Sequence, residues 1–531
     1  MIMRFAAVAG LTLALPALQA QELAAQESPE RPAQVEVLSS AVEAISRMHM
    51  EAFSDSILWE AAIDGLIDAL NDPYAELFTP QEAEAWEEGT TGNYSGIGLQ
   101  ITMLNDEITI TGVFRGFPAS EHGIMIGDVI VGVNQYDATE WNTDMAADSI
   151  RGPVGTEVNV RIRRAGYAEP RTYVITRAEV HVPAVEYGVL QGDIGYVIMD
   201  RVARNAAREM NEALGVLQGR KGLIIDLRRN PGGFLDESLM LADLFLKPGS
   251  TLASTVQRVP GGSAATPETD SYGDRWPALV PDLPVVILVD EFTASGAEIL
   301  AGALQDYDRA VVLGERTFGK GVVQTVMNLP HGRRLRFTTG SWLTPLGRSL
   351  QRDRDRQGMP VGEDVDTLPR VATASGRQLI SGGGIFPDLV IADDTLTTTE
   401  QEFIRATNEQ EFPLGLRIAE YGLSLVALRR AEGARPGVHA EEFETWMRQL
   451  AAEGLGAEYV DDPQVRDYLL WRLDMTVAQR MGDIGAEADY RTRRDPVLTE
   501  AIRLIETTMS QQELFGAVDA QPGATQGPRG G

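Results

Sequence analysis

Ser295 stands just beyond an apolar run, Val285-Val-Ile-Leu-Val289, in the segment Asp290-Glu-Phe-Thr-Ala-Ser295-Gly-Ala-Glu-Ile299. Such a run bounded by polar residues reads as a buried strand, and a helical pattern follows over 296 to 306. A serine at a strand-to-helix junction exposes its Oγ, and the first free helix N–H groups point at any anion forming on an attacked carbonyl. That chemistry needs a base, and no histidine lies near Ser295 in the sequence. Another kind of base stands in Gly314-Glu-Arg-Thr-Phe-Gly-Lys320-Gly-Val-Val-Gln324. Enclosed beside Ser295, Lys320 would be desolvated and its pKa lowered, so that the neutral amine could take the hydroxyl proton and return it to a leaving amine. Gln324, four residues on, can orient that amine through a hydrogen bond without adding a charge. On this segment alone a second reading stays open, Ser295 as an ordinary helix cap.

Composition narrows the chemistry further. The 531 residues include no cysteine, which excludes thiolate catalysis, cysteine-type zinc sites, iron–sulfur clusters and disulfides. Covalent candidates are left to Ser, Thr, Lys and carboxylates. The five histidines, His49, His122, His181, His331 and His439, form no metal-ligand pair, so neither a metal nor a cofactor is expected. With 46 basic against 77 acidic residues the net charge is -31, which opposes a phosphate backbone, so nucleic acid is not an expected partner.

The elements that must position these residues follow from periodicity and punctuation. At about 150 residues per domain the length suggests roughly three to four domains. Residues 1–20 carry one positive charge, Arg4, a short apolar stretch and Leu18-Gln19-Ala20 before a polar segment, the pattern of a secretory signal peptide. An uncleaved membrane anchor is the alternative there, and no later stretch is apolar enough to span a bilayer. Residues 34–90 read as a helical N-terminal region that Asn71-Asp72-Pro73 interrupts. Residues 92–178 read as short strands with glycines at their ends, a compact β domain. From 183 to 392 strands and helices alternate, which argues for βα units around a buried sheet. Polar inserts at 258–283 and 351–369 read as surface excursions. Residues 395–515 form a helical C-terminal extension, and the Gly/Gln/Pro-rich tail 516–531 reads as disordered.

Within the small domain, Gly96 and Gly98 of Gly96-Ile97-Gly98-Leu99 let consecutive backbone N–H groups turn inward as a nest for a carboxylate. The strand that follows offers an edge to an added peptide strand. With Pro118-Ala119, Gly123-Ile-Met-Ile-Gly127-Asp128 and Ile150-Arg-Gly-Pro-Val-Gly155 behind it, the order resembles a PDZ domain, which binds the C-termini of other proteins.

Six segments occur in one order along the sequence. They are Asp72-Pro-Tyr-Ala-Glu-Leu-Phe-Thr79, the PDZ-like module, Asp226-Leu-Arg-Arg-Asn230-Pro-Gly232-Gly233, Thr293-Ala-Ser295-Gly-Ala-Glu298, Gly314-Glu-Arg-Thr-Phe-Gly-Lys320-Gly and Gly384-Ile-Phe-Pro-Asp388. Together they resemble the carboxyl-terminal processing peptidases, or tail-specific proteases, of the S41 serine peptidase family, over about residues 34–392. The resemblance implies a bacterial serine endopeptidase with a Ser295–Lys320 dyad completed by Gln324, acting through an acyl-enzyme on proteins bearing a free C-terminus. It implies an α+β multidomain fold with a crotonase-like ββα core, into which the PDZ domain is inserted to recognise or gate the substrate tail. It also implies an oxyanion hole of backbone N–H groups, Gly296 together with Gly232 or Gly233. Relatives often carry Ala or Ser after the nucleophile. Gly296 departs mildly from that, and since its N–H survives, activity is expected to survive.

The expected location is the periplasm or cell envelope. Two other functions fit less of the sequence: a non-catalytic PDZ protein on a degenerate peptidase core, and an esterase, for which a Gly-x-Ser-x-Gly elbow with a histidine partner is missing. The 395–515 region is open to three readings: homodimerisation or adaptor docking, a lid over the active site, or a packing extension.

Overall fold

The computed structural model describes residues 33–164, 167–258, 267–355, 358–392 and 396–525. Residues 1–20, read as a signal peptide, lie outside the described residues, as does the end of the tail, 526–531.

Contacts divide the protein into two units, residues 1–77 and 78–531. In the first, helices Ala33–Met48 and Asp55–Asp68 pack on one another, and Ser54 caps the second by accepting from Ile57 N. Val42 is buried, while Val37, Leu38, Ile45, Leu66 and Leu70 stay exposed. Asn71 takes a left-handed backbone, φ 52°, and Asp72 Oδ1 accepts from Tyr74 N, which ends the helical run where the Asn-Asp-Pro signal places it.

In the second unit the strand Val285–Val289 is buried along its whole length. It lies inside a six-stranded sheet whose order is Val185–Leu190, Ile194–Met199, Leu223–Asp226, Val285–Val289, Val311–Gly314, Leu389–Val390. The first pair is antiparallel and every later pair is parallel. Parallel strands buried on both faces need a cover on each. One face packs Ile225, Val285, Ile287 and Val312 against helices Ala206–Leu217, Leu235–Asp243 and Gly296–Asp306. The other packs Tyr196, Ile224, Val286, Leu288 and Leu313 against helices Pro496–Thr507 and Gln511–Asp519. The last two helices of the extension are therefore the third layer of the core. Residues 516–519, expected in a disordered tail, instead finish a helix, because Leu514, Phe515 and Val518 bury against the sheet.

A second, antiparallel sheet contains Glu268–Gly273, Thr251–Gln257, Arg334–Leu343 and Val322–Asn328. The polar segment 258–283, read as an excursion, thus contributes a strand whose side chains are almost all exposed, which is why its pattern carries no apolar alternation.

The small β domain joins the rest through paired strands Asn93–Gly96 and Ala178–His181. Its sheet runs Leu99–Leu104, Glu107–Val113, Val129–Val133, Glu157–Arg163, Arg171–Thr176, flanked by helix Thr143–Ile150. Val158, Val160 and Ile162 point inward while Glu157, Asn159 and Arg163 do not, the period of two of a half-buried strand. Helices Thr398–Glu409, Leu414–Glu432, Ala440–Ala452 and Pro463–Met481 share a separate core around Phe403, Leu425, Trp446, Leu469 and Leu473. The architecture is α+β and multidomain, with a β-rich insert and helical extensions. No helix among the described residues is long and apolar enough to cross a membrane.

Candidate active site

The backbone of Ser295 adopts φ 50°, ψ -114°, immediately before helix Gly296–Asp306. Residues other than glycine rarely sit there, and such conformations cost about 1–3 kcal/mol. The loop leading to it is pinned on both sides. Asp290 Oδ1 accepts from Thr293 N at 2.9 Å and from Arg229 N at 2.9 Å. Thr293 Oγ1 donates to Leu227 O at 2.9 Å, and Ala294 N donates to Asn230 O at 2.9 Å.

Glu298 joins this loop to the lysine. Its carboxylate is fully buried, with Oε2 accepting from Ser295 N at 2.7 Å and from Lys320 N at 2.9 Å. Oε1 accepts from Thr317 Oγ1 at 2.6 Å and from Gly319 N at 2.8 Å. Burial pushes the Glu298 carboxyl up from its usual range, against the pull of the Thr317 hydroxyl and of the Lys320, Gly319 and Ser295 N–H groups. Four donors converge on the one carboxylate, two on each oxygen. One oxygen thus holds the backbone nitrogens of both Ser295 and Lys320.

Lys320 is half-buried, and its Nζ donates to Gln324 Oε1 at 2.6 Å from the adjoining strand Val322–Asn328. Trp342 Nε1 donates to Lys320 O at 3.0 Å, and Gln351 Oε1 accepts from Gly321 N at 2.9 Å, so the lysine's backbone is fixed on either side. Gly319, at φ 80°, leaves no space for a side chain: a Cβ would lie 3.0 Å from both Gly384 N and Leu350 O.

The Asn-Pro-Gly-Gly turn closes over Ser295. A Cβ on Gly232 (φ 88°) would fall 2.5 Å from Gly296 N and 2.8 Å from Ser295 Cβ. Of the two glycines read as alternative oxyanion donors, Gly232 has its N–H committed to Asn230 Oδ1 at 2.9 Å. Its role is close approach, made possible by the missing side chain. Gly233 N and Gly296 N have no acceptor among the described residues, and Gly233 N lies 3.1 Å from where a Gly296 Cβ would be.

The Gly96–Leu99 segment is away from this cluster in the small domain. Gly96 ends a strand, Ile97 is buried, Gly98 turns at φ 84°, and Leu99 begins the next strand. Ile97 O accepts from Ala119 N and Gly98 O from Phe114 N, so the loop's carbonyls are engaged by the small domain's own backbone. The structure thus brings together Ser295, Lys320, Gln324, Gly296, Gly232 and Gly233, and leaves Gly96, Ile97, Gly98 and Leu99 as a separate turn.

Sequence reasoning did not assign Glu298, Asp290 or Asn230. For Glu298 a signal existed: Ser295-x-x-Glu298 is the spacing of a capping box, in which the third helical residue reaches back to the cap's N–H.

Fold and site define a protein with a PDZ-like insert and a strained serine whose backbone is joined through Glu298 to that of a lysine paired with a glutamine. Comparison with known proteins agrees: residues 193–359 match the model of peptidase family S41, and residues 88–163 match the PDZ domain model. The "Probable CtpA-like serine protease" of Staphylococcus epidermidis is 32% identical over 323 residues, covering 60% of this chain and 64% of its own. The protein of the same description in Staphylococcus aureus (strain bovine RF122 / ET3-1) is 34% identical over 299 residues, covering 56% and 58%. The matches therefore span less than two thirds of those relatives. A solved structure described as photosystem II D1 C-terminal processing protease aligns with 62% of this chain and 93% of its own, at 27% identity and a TM-score of 0.33. Residues 193–359 are thus a peptidase family S41 region and residues 88–163 a PDZ domain, in a chain similar to CtpA-like serine proteases.

Proposed function

We propose that this protein is a serine endopeptidase that hydrolyses peptide bonds in the C-terminal regions of proteins. The observation that carries the reading is the lysine pair: Nζ of Lys320 held by Gln324, with its backbone tied through Glu298 to that of Ser295. Ser295 Oγ attacks the scissile carbonyl carbon as the neutral Lys320 amine takes its proton. The carbonyl oxygen becomes an anion held by Gly296 N–H and Gly233 N–H. The C–N bond then breaks, Lys320 gives its proton to the leaving amine, and the acyl-enzyme remains. Water, deprotonated by the same amine, attacks the acyl carbon and releases the product acid and Ser295. Gln324 keeps Nζ aimed without bringing a negative charge beside it.

The finer expectations belong to the same reading. The core at 183–392 has a crotonase-like ββα arrangement, the PDZ domain at 92–178 takes the substrate's terminal carboxylate on the N–H groups around Gly96, Ile97, Gly98 and Leu99, and the protein works outside the cytoplasm, in the periplasm or cell envelope.

The test is cleavage mapping by mass spectrometry of a denatured protein with a free apolar C-terminus, using wild type, Ser295→Ala and Lys320→Ala. Loss of nucleophile or base costs about 10⁴-fold or more in such chemistry. Fragments from wild type alone support the reading. Full turnover by either variant, or no fragments from wild type, sinks it; the latter outcome favours a non-catalytic peptide-binding protein.

A further inference from the structure

We infer that the C-terminal extension holds the oxyanion turn in shape, with Asp495 as the positioning residue that does so through Arg228. This rests on the peptidase reading above.

The path of contacts is short. Asp226, at the end of the strand Leu223–Asp226, is buried, and its Oδ1 accepts from Arg228 N at 3.1 Å and Arg228 Nε at 2.9 Å. Its Oδ2 accepts from Arg228 Nη2 at 2.7 Å and from Tyr196 Oη at 2.8 Å. The same Arg228 Nη2 also donates, at 2.7 Å, to Asp495 Oδ2 from the start of helix Pro496–Thr507. Arg491, at the end of the preceding helix Ile484–Arg491, places Nη1 3.7 Å from Asp226 Oδ2 and donates through Nη2 to Glu487 at 2.5 Å. Burial alone would neutralise Asp226, yet Arg228 and Arg491 hold its carboxyl below the usual range.

A guanidinium chelated between two buried carboxylates has one place to be. Arg228 lies two residues before Asn230, which spends its Oδ1 on Gly232 N, its Nδ2 on Met199 O and its backbone O on Ala294 N. The next backbone nitrogen, Arg229, takes φ 60° and is held by Asp290. Moving Arg228 therefore moves the turn that carries Gly233 N–H, the donor proposed for the oxygen of the carbonyl that Ser295 attacks. Without Asp495, Arg228 keeps Asp226 but loses the anchor that fixes it from the far side.

Asp495 has a second task that must be separated from the first. Its Oδ1 caps helix Pro496–Thr507 by accepting from Leu498 N at 2.8 Å. Asn caps as well as Asp does, so Asp495→Asn keeps the cap and removes the anion, whereas Asp495→Ala removes both. Two readouts are needed: peptide hydrolysis resolved into kcat and KM, and hydrogen exchange of the amides in residues 227–233, which needs no turnover. For Asp495→Asn we expect kcat to fall about tenfold or more with KM little changed, faster exchange in the turn and near-normal thermal unfolding. Losing an entire oxyanion donor would cost about 10²–10³-fold, the upper bound for a displaced one. Wild-type kcat and wild-type exchange in Asp495→Asn overturn the inference, as does a defect confined to Asp495→Ala, which would mark the cap alone. If wild type itself fails to hydrolyse peptides, the peptidase reading fails, and the exchange measurement still decides whether Asp495 holds the turn.

Discussion

Gly296 is where a single methyl group is most informative. A Cβ at this position would lie 2.5 Å from Ser238 Oγ and 3.1 Å from Gly233 N, and contacts under 3.0 Å require something to shift. Ser238 is fully buried, and its Oγ donates to Phe234 O at 2.9 Å. Rotating the hydroxyl away from an alanine strands it without that acceptor, at about 1–3 kcal/mol. Leaving it in place pushes the helix start away from the glycine turn, an overpacking cost of about 1–3 kcal/mol. Alanine's better helix propensity returns at most about 1 kcal/mol. The net is about 1–2 kcal/mol, or roughly a tenfold fall in kcat/KM where the displacement reaches the oxyanion donors. The assay is a double-mutant cycle in which kcat/KM and urea unfolding are measured for wild type, Gly296→Ala, Ser238→Ala and the double variant. Removing the Ser238 hydroxyl clears the space, so the double variant should recover most of what Gly296→Ala loses, with a coupling of about 1–2 kcal/mol. Additive effects, or a Gly296→Ala enzyme at full rate and stability, would refute the steric reasoning.

Glu298→Gln puts an amide NH2 against two of the four donors that now converge on the carboxylate. At about 1.5–3 kcal/mol per bond to a charged group, about 3–6 kcal/mol should be lost between unfolding free energy and kcat, and wild-type values of both would exclude the hub. Because burial raises the Glu298 carboxyl above its ordinary 4.5, the folded state takes up this proton before the unfolded state does. Protonation at Glu298 therefore cannot drive acid unfolding, and the unfolding free energy of wild type relative to Glu298→Gln should rise as pH falls toward 4.5; a relative fall in urea unfolding over that range contradicts this. Truncation after Met481 removes Val497, Leu498, Leu504, Ile505, Leu514, Phe515 and Val518 from one face of the central sheet. At roughly 1.5–3 kcal/mol for each large side chain, the seven sum to about 10–21 kcal/mol, as much as the whole stability of a typical domain, about 5–15 kcal/mol, so the truncated protein should not fold, and a soluble core with cooperative unfolding would disprove it.

Local pattern carried much of this into view. The alternation of strand and helix from 183 to 392 has a period that can be read residue by residue, and helix 296–306 begins where the serine's segment says it should. Lys320 and Gln324 are four apart, so their meeting needs only a short loop entering a strand. What stayed hidden depends on partners distant in sequence. Arg228 and Asp495 are 267 residues apart, and neither is distinguishable from a surface charge in its own segment. Val497, Leu498, Ala501, Leu504 and Ile505 announce an amphipathic helix, but the face they cover is built from strands two to three hundred residues earlier, so a docking element and a core layer look alike in sequence. Whether Gly232 or Gly233 offers its N–H turns on one side-chain rotamer, that of Asn230, which no spacing encodes.

The strained serine ties these pieces into one argument. At φ 50°, ψ -114° Ser295 carries about 1–3 kcal/mol that a relaxed backbone would release. Relaxation would swing its N–H off the fully buried Glu298 carboxylate, leaving that anion with one fewer donor at about 1.5–3 kcal/mol, and would drag Ala294 N from Asn230 O as well. The strained conformation is thus the lower state only while both anchors stand. Glu298 is itself held from the lysine loop, through Thr317, Gly319 and Lys320, and Asn230 from the turn that Arg228 steadies. The proposed nucleophile, base and oxyanion turn are in this way set by one connected group of bonds. A substitution anywhere along it should change the rate by more than it changes the affinity for substrate, because what it disturbs is the mutual aim of the reacting groups and not the surface that a peptide binds.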